Sequence, residues 1–201
     1  MSLHAASTHP QEVAALLTRL RQYGPVPAAD EWRLSADWQC YQLAAGEFLL
    51  QSGEVCPGLY FVSQGLLRVV QEPLHGPALT YFFVPEQQFC TVLASLEAQA
   101  PSDKGLQAVV STKVLLLPRS ALEELKQQLP YFASLIARLL QQGLLEKLRL
   151  QQLYRGQDAR GRYQSLLRHQ PELAVHVPGY MLASYLGITP QSLSRLRRER
   201  A

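Results

Sequence analysis

The chain has 201 residues, of which 47% are hydrophobic and 17% charged, and a formal net charge of +3 at pH 7. This composition describes a folded chain with a substantial core and excludes a disordered polymer; no apolar run is long enough to cross a bilayer. The opening stretch MSLHAASTHPQEV lacks the basic start and apolar centre of a secretory leader. The three cysteines, Cys40, Cys56 and Cys90, are odd in number and widely spaced, so a reducing, cytoplasmic compartment is expected.

In chain order, Val13, Leu16, Leu17 and Leu20 predict a helix over 10–23. From about Trp38 to Pro118 the pattern becomes short alternating or β-branched runs at 47–50, 59–62, 66–70, 79–84, 107–110 and 114–117. Turn pairs such as Ala45-Gly46, Ser52-Gly53, Gln64-Gly65 and Gly76-Pro77 separate them. Many short strands at this spacing predict a β-sandwich or barrel, most simply a jelly roll. A helix follows over 119–129, with Ser120 as its expected cap and Glu123 three residues on. Pro130 is expected to open a longer helix reaching about Tyr154. Its stripe of Phe132, Leu135, Ile136, Leu139, Leu140, Leu144 and Leu148 exceeds what one small neighbour can cover, and predicts a parallel two-fold dimer. Gly156 and Asp158 mark a linker, with Asp158 capping a helix over 159–169 that carries Tyr163, Leu166 and Leu167 and ends at Pro171. Residues 174–178 read as an extended connection. There are no internal repeats.

The most specific stretch is GYMLASYLGITPQSLSRLRR, residues 179–198. Leu182 and Leu186 give one short helix an apolar face, and Leu193 and Leu196 do the same for a second. Ala183 is small where two helices must cross, and Gly187 can take the positive φ that the turn requires. Ile188 closes the small core, Thr189 caps the second helix and Pro190 fits its first position. Gln191, Ser192, Arg195 and Arg198 then face outward. This is the spacing of a helix-turn-helix. Charge supports a polyanion partner: up to Ala137 eight basic residues stand against twelve acidic ones, a net −4, whereas from Arg138 onward eleven stand against four, a net +7.

The order of these motifs resembles the Crp/Fnr family, that of the cyclic-AMP receptor protein and the fumarate-nitrate reduction regulator. Gly46-Glu47-Phe48-Leu49-Leu50 with Gly53-Glu54, Leu59-Tyr60-Phe61-Val62 with Gly65, Asp158-Ala159-Arg160-Gly161-Arg162, and the run from Gly187 to Arg195 carry the resemblance. It implies an α+β chain with three parts. These are an N-terminal double-stranded β-helix (jelly-roll, cyclic-nucleotide-binding-like) sensor with its N-terminal helix over 1–129, a dimerisation helix over 130–155, and a C-terminal helix-turn-helix domain over 156–201. Double-stranded DNA and a second copy of the chain are the implied partners, with RNA polymerase as a further candidate.

Departures from the family bear on the effector. Cyclic-nucleotide binders of this kind use a Gly-Glu-Leu triplet and an Arg-Ala or Arg-Ser pair; Thr91-Val92-Leu93 and Ser102-Asp103 stand at those places. Valine cannot accept a ribose hydrogen bond, and an aspartate would repel a phosphate. Lys104 is adjacent, and Lys147 and Leu148 occupy the long-helix positions that face the purine in cyclic-AMP responders. These eight residues define the candidate effector pocket, with cyclic AMP not expected in it and the effector, if one exists, of unknown identity. No cofactor is expected: the N-terminus has no cysteine cluster for iron and sulfur, and His75 is read as a loop histidine rather than a heme ligand. Cys40 and Cys90 read as core residues.

Residues 171–178 are too few for the β-hairpin wing that precedes this motif in the family, so Arg197, Arg198, Arg200 and the hinge arginines would supply the phosphate contacts. The expected DNA-binding residues are Thr189, Gln191, Ser192, Arg195, Arg197 and Arg198. The competing reading is a ligand-sensing β-roll acting through protein contacts with a degenerate DNA-binding part. A cupin-like enzyme is not expected, because His4, His9, His169 and His176 lie outside the barrel and no pair has ligand spacing inside it.

Overall fold

The computed structural model of the chain describes residues 5–6, 10–73 and 76–199; His4, His9, His75 and Arg200 lie outside the described residues. The N-terminal half is a roll of two antiparallel sheets, with α1 (Pro10–Leu20) and the short α2 (Glu31–Ala36) before its main strands. One sheet has the order β1 (Ala5–Ala6), β2 (Gln39–Leu43), β9 (Thr112–Pro118), β4 (Gly58–Gln64), β7 (Gln88–Cys90). The other runs β3 (Phe48–Leu50), β8 (Gly105–Ala108), β5 (Leu66–Gln71), β6 (Leu79–Pro85). A short helix, α3 (Leu93–Ala98), links β7 to β8. Residues 58–62 of β4 are all buried, because one face looks into the roll while α1 and α4 (Arg119–Gln128) cover the other. Gly58 is dictated by that packing: a Cβ there would meet the Leu117 carbonyl oxygen at 2.0 Å.

The helical half contains α5 (Phe132–Tyr154), α6 (Ala159–His169), α7 (Pro171–His176), α8 (Gly179–Leu186) and α9 (Pro190–Arg198). Asp158 caps α6 as its position predicts, accepting from the Gly161 N–H at 2.7 Å.

Four local expectations are corrected. Ser120 caps nothing: β9 runs to Pro118, whose ψ of 151° itself delivers the chain into α4, and Ser120 lies inside the first turn. The long helix begins at Phe132 rather than Pro130, because Leu129 is extended (ψ 102°), as the residue before a proline prefers. Residues 174–176 are helical within α7, for which Pro171 takes the first position; the extended connection shrinks to Val177 and Pro178. The first helix also stops at Leu20, three residues short of the expected end.

Two apolar cores result. The larger fills the roll and takes in α1, α4 and the first half of α5 through Phe132, Leu135, Ile136 and Leu139. The smaller is built from α6 to α9 and includes Leu66, Phe83 and Val109 from the roll, so the helical part is packed onto the outer face of the β5–β6 sheet.

Candidate nucleic-acid interface and sensor cleft

Local chemistry explains the turn between α8 and α9. Gly187 adopts φ +63°, ψ 39°, and the N–H groups of Gly187 and Ile188 donate to the carbonyls of Ser184 (3.1 Å) and Ala183 (3.0 Å), closing the end of α8. Thr189 is extended, and its Oγ1 accepts from the Ser192 N–H at 3.1 Å, satisfying one of the free donors at the start of α9. Leu182, Ala183, Leu186, Leu193 and Leu196 are buried together, joined by Met181 and by Tyr163, Leu166, Leu173 and Val177 from α6 and the α7 region.

The predicted DNA-binding residues are distributed unevenly. Gln191, Arg195 and Arg198 are exposed on one side of α9, together with Ser194. Arg195 makes only a loose, exposed pair with Glu199 at 3.8 Å, which leaves its guanidinium free to exchange partners. Thr189 and Ser192 are partly occupied by the cap, their hydroxyls 3.0 Å apart. Arg197 turns the other way, its Nη2 donating to the Ala174 carbonyl of α7 at 3.3 Å. Arg160 and Arg168 of α6 line a depression of about 290 Å³ shared with Leu196 and Glu199, so basic side chains flank α9. Arg168 falls outside the predicted set; an eight-residue interval from Arg160 is about 80° round a helix, so spacing gives it only a weak signal, and the depression they share comes from the packing of α6 and α9. No β-hairpin lies between α6 and α8 among the described residues, where α7 takes its place.

α8 also makes a contact with no signal in the sequence. The Ser184 Oγ accepts from the Thr80 N–H of β6 at 2.9 Å and donates to the Ala78 carbonyl at 3.1 Å, continuing the sheet edge. Below it Arg68 is almost fully buried, donating to Gln107 (2.8 Å) and Thr80 (2.9 Å), and burial lowers its pKa. Tyr185 stacks edge-on to Phe83, with ring centroids 5.1 Å apart. It shares the Gln170 Oε1 with Tyr154, both bonds being 2.9 Å.

The residues expected at the effector pocket do not converge. Thr91 donates to the Gly58 carbonyl at 2.9 Å, and Val92 packs against the roll core and precedes α3, whose first residue, Leu93, is exposed. Ser102 is buried and closes on its own loop, donating to the Lys104 carbonyl at 2.8 Å. Asp103 is exposed and pairs with Lys104 at 3.2 Å, while Lys104 also rests 5.3 Å from the Tyr81 ring. Leu148 is exposed on α5 and does not line the cleft that holds Lys147. Lys147 alone among the eight lines the large cleft of about 680 Å³ that opens between β6–β7, α5 and the α6–α7 junction. Its Nζ stands 4.1 Å from the Phe82 ring centroid, and burial lowers its pKa. The cysteines are all buried; burial pushes the Cys90 thiol up to about 12 and raises that of Cys40, so both are poor nucleophiles.

Residues 41–128 match the cyclic nucleotide-binding domain family. Solved structures resemble most of the chain. FixK2 from Bradyrhizobium japonicum is 18% identical, with 81% of this chain and 83% of that one covered and a TM-score of 0.69. A structure from Eubacterium rectale assigned to the Crp/Fnr family of transcriptional regulators is 16% identical (89% and 87% covered, TM-score 0.68). CLP, a c-di-GMP responsive global regulator from Xanthomonas campestris, is 18% identical (87% and 91%, TM-score 0.67). The chain has the Crp/Fnr fold. No curated protein sequence matches it. The region that matches the cyclic nucleotide-binding family ends at the close of α4, and α5 to α9 follow it. No helix among the described residues is long and apolar enough to cross a membrane.

Proposed function

We propose that the chain is a homodimeric, sequence-specific DNA-binding transcription regulator. The observation that carries this reading is the doubly capped α8–α9 unit, whose second helix presents Gln191, Arg195 and Arg198 to solvent beside the arginines of α6. Arg195 is suited to a bidentate contact with guanine O6 and N7, and Gln191, one turn earlier, to adenine. Thr189 and Ser192 hold phosphates, while Arg197 and Arg198 add charge without sequence information. The second half of α5 supports the dimer. Leu144, Leu145 and Leu148 are 58%, 57% and 45% exposed, an apolar stripe that a second copy of α5 would cover. Two recognition helices related by that axis enter successive major grooves roughly 34 Å apart.

Cyclic AMP does not fit this domain as its effector. Val92 offers no acceptor to a ribose, Asp103 would oppose a cyclic phosphate, and Lys147, at the long-helix position that the family resemblance sets against the purine, is held over the Phe82 ring. The short α7 in place of a hairpin favours the second reading, a roll that senses a ligand and acts through protein contacts.

Selection from a random duplex library with the purified protein, at two salt concentrations, tests the two. A two-fold symmetric motif with half-sites one helical turn apart, and affinity falling as salt rises, is the expected result. No enrichment at either concentration, with or without added metabolites, would overturn the regulator in favour of the protein-contact reading.

A further inference from the structure

We propose that the cleft between α5 and the β6–β7 edge is a receptor for a small organic anion with an apolar body, such as a medium-chain carboxylate, whose charge is met by Lys147. The proposal rests on the reading of the roll as a sensor domain and names the chemistry of what it senses.

At about 680 Å³ the cleft lies within the range of roughly 300–1,000 Å³ typical of small-molecule sites. Its walls are apolar where the body of a ligand would lie, at Phe82, Phe89, Leu150 and Leu153. Lys147 projects into this setting from α5 and is half-buried, with its ammonium against the Phe82 ring. No ion pair engages it among the described residues, and the nearest acid on its own helix, Glu146, is turned to Arg149 at 3.8 Å. Glu146 and Glu172 line the same cleft but neither pairs with Lys147, and a cation taken partly out of water against an aromatic face without an ion-pair partner is electrostatically incomplete, so an incoming anion completes it.

The charge present also restricts the class. Of the three cations that line the cleft, Arg19 donates to Gln22 and Gln88 and Arg149 faces Glu146, so Lys147 is left to an occupant, and one ammonium suits a carboxylate or sulfonate better than a polyphosphate. The residues that would have to hold a cyclic phosphate and ribose are engaged elsewhere, in the Ser102–Lys104 loop and at Thr91. The floor of the cleft is formed by His169, Gln170 and Glu172. Gln170 is the acceptor shared by Tyr154 and Tyr185, so an occupant touches the roll, the long helix and the joint that holds α8.

The test uses the full chain, with anilinonaphthalene sulfonate as a fluorescent organic anion and decanoate and decanol as competitors. Saturable binding of one probe per chain is expected, displaced by decanoate and not by decanol. Lys147→Met should weaken it about tenfold or more while Lys147→Arg retains it, and Lys147→Gln serves if the methionine variant does not fold. Equal binding by the neutral variants, or equal displacement by decanol, would overturn the proposal and assign the probe to exposed apolar surface outside the cleft, such as Leu144 and Leu148. The same samples run in the duplex selection separate the two readings. Lys147-dependent anion binding without any DNA motif sinks only the regulator, and a symmetric motif without Lys147-dependent binding sinks only this site.

Discussion

Gly187 and Thr189 show how closely single residues control the α8–α9 unit. At φ +63° an alanine in place of Gly187 would be held in a left-handed conformation, and its Cβ would meet the Arg162 Nη1 at 3.1 Å. Gly187→Ala should therefore lower stability by about 1–2 kcal/mol, read from chemical denaturation. Thr189→Ala removes the side-chain bond that caps the start of α9 and should cost about 1 kcal/mol in the same measurement. Arg195→Ala should leave stability unchanged, because the guanidinium is exposed and only loosely paired. Its effect belongs to binding: a loss of roughly 1–3 kcal/mol with relaxed preference at one base position of the selected site. Equal loss on every sequence would reassign Arg195 to a phosphate. The roles of Gly187 and Thr189 are legible in the sequence because capping and turn chemistry act within a few residues of the chain. Ser120 fits the same local pattern and caps nothing, since the strand preceding it already sets the direction of α4.

At the scale of elements, α5 carries two apolar stripes with different fates. Phe132, Leu135, Ile136 and Leu139 are spent on the chain's own core, whereas Leu144, Leu145 and Leu148 face solvent. Leu148→Glu should convert a dimer to a monomer in analytical ultracentrifugation and abolish binding to a full two-fold site, while leaving thermal unfolding of the roll nearly unchanged. Retention of the dimer would place the interface elsewhere. The helical period is readable from spacing, but which leucines turn inward depends on where the roll ends alongside the helix. The strands divide in the same way. β4, β5, β6 and β9 stand out as apolar runs with turn residues at their ends. β2 (QCYQL) and β7 (QFC) do not, because they hold their places through pairing with β9 and β4 more than through their own pattern.

Across the whole molecule, the helix-turn-helix is docked on the roll. The Ser184 bonds to Thr80 and Ala78, the Phe83–Tyr185 contact and the buried Arg68 lie on one face. Ser184→Ala removes both bonds and should loosen that docking, which limited tryptic cleavage at Arg155 beside Gly156 would report as faster cutting. An unchanged rate would mean that the aromatic contact alone holds the joint. By itself the sequence determined the order of roll and helices, the type of fold, the capped helix-turn-helix and the basic C-terminal third, because periodicity, capping and charge are properties of neighbouring residues. Only the tertiary structure decided which predicted pocket residues come together. Ser102 and Asp103 are drawn into bonds of their own loop and Thr91 into one with Gly58 of β4, while Lys147, distant in sequence from Phe82, is brought over its ring by the packing of α5 along the roll. Such long-range encounters are set by how the cores stack, and no short stretch of chain encodes them.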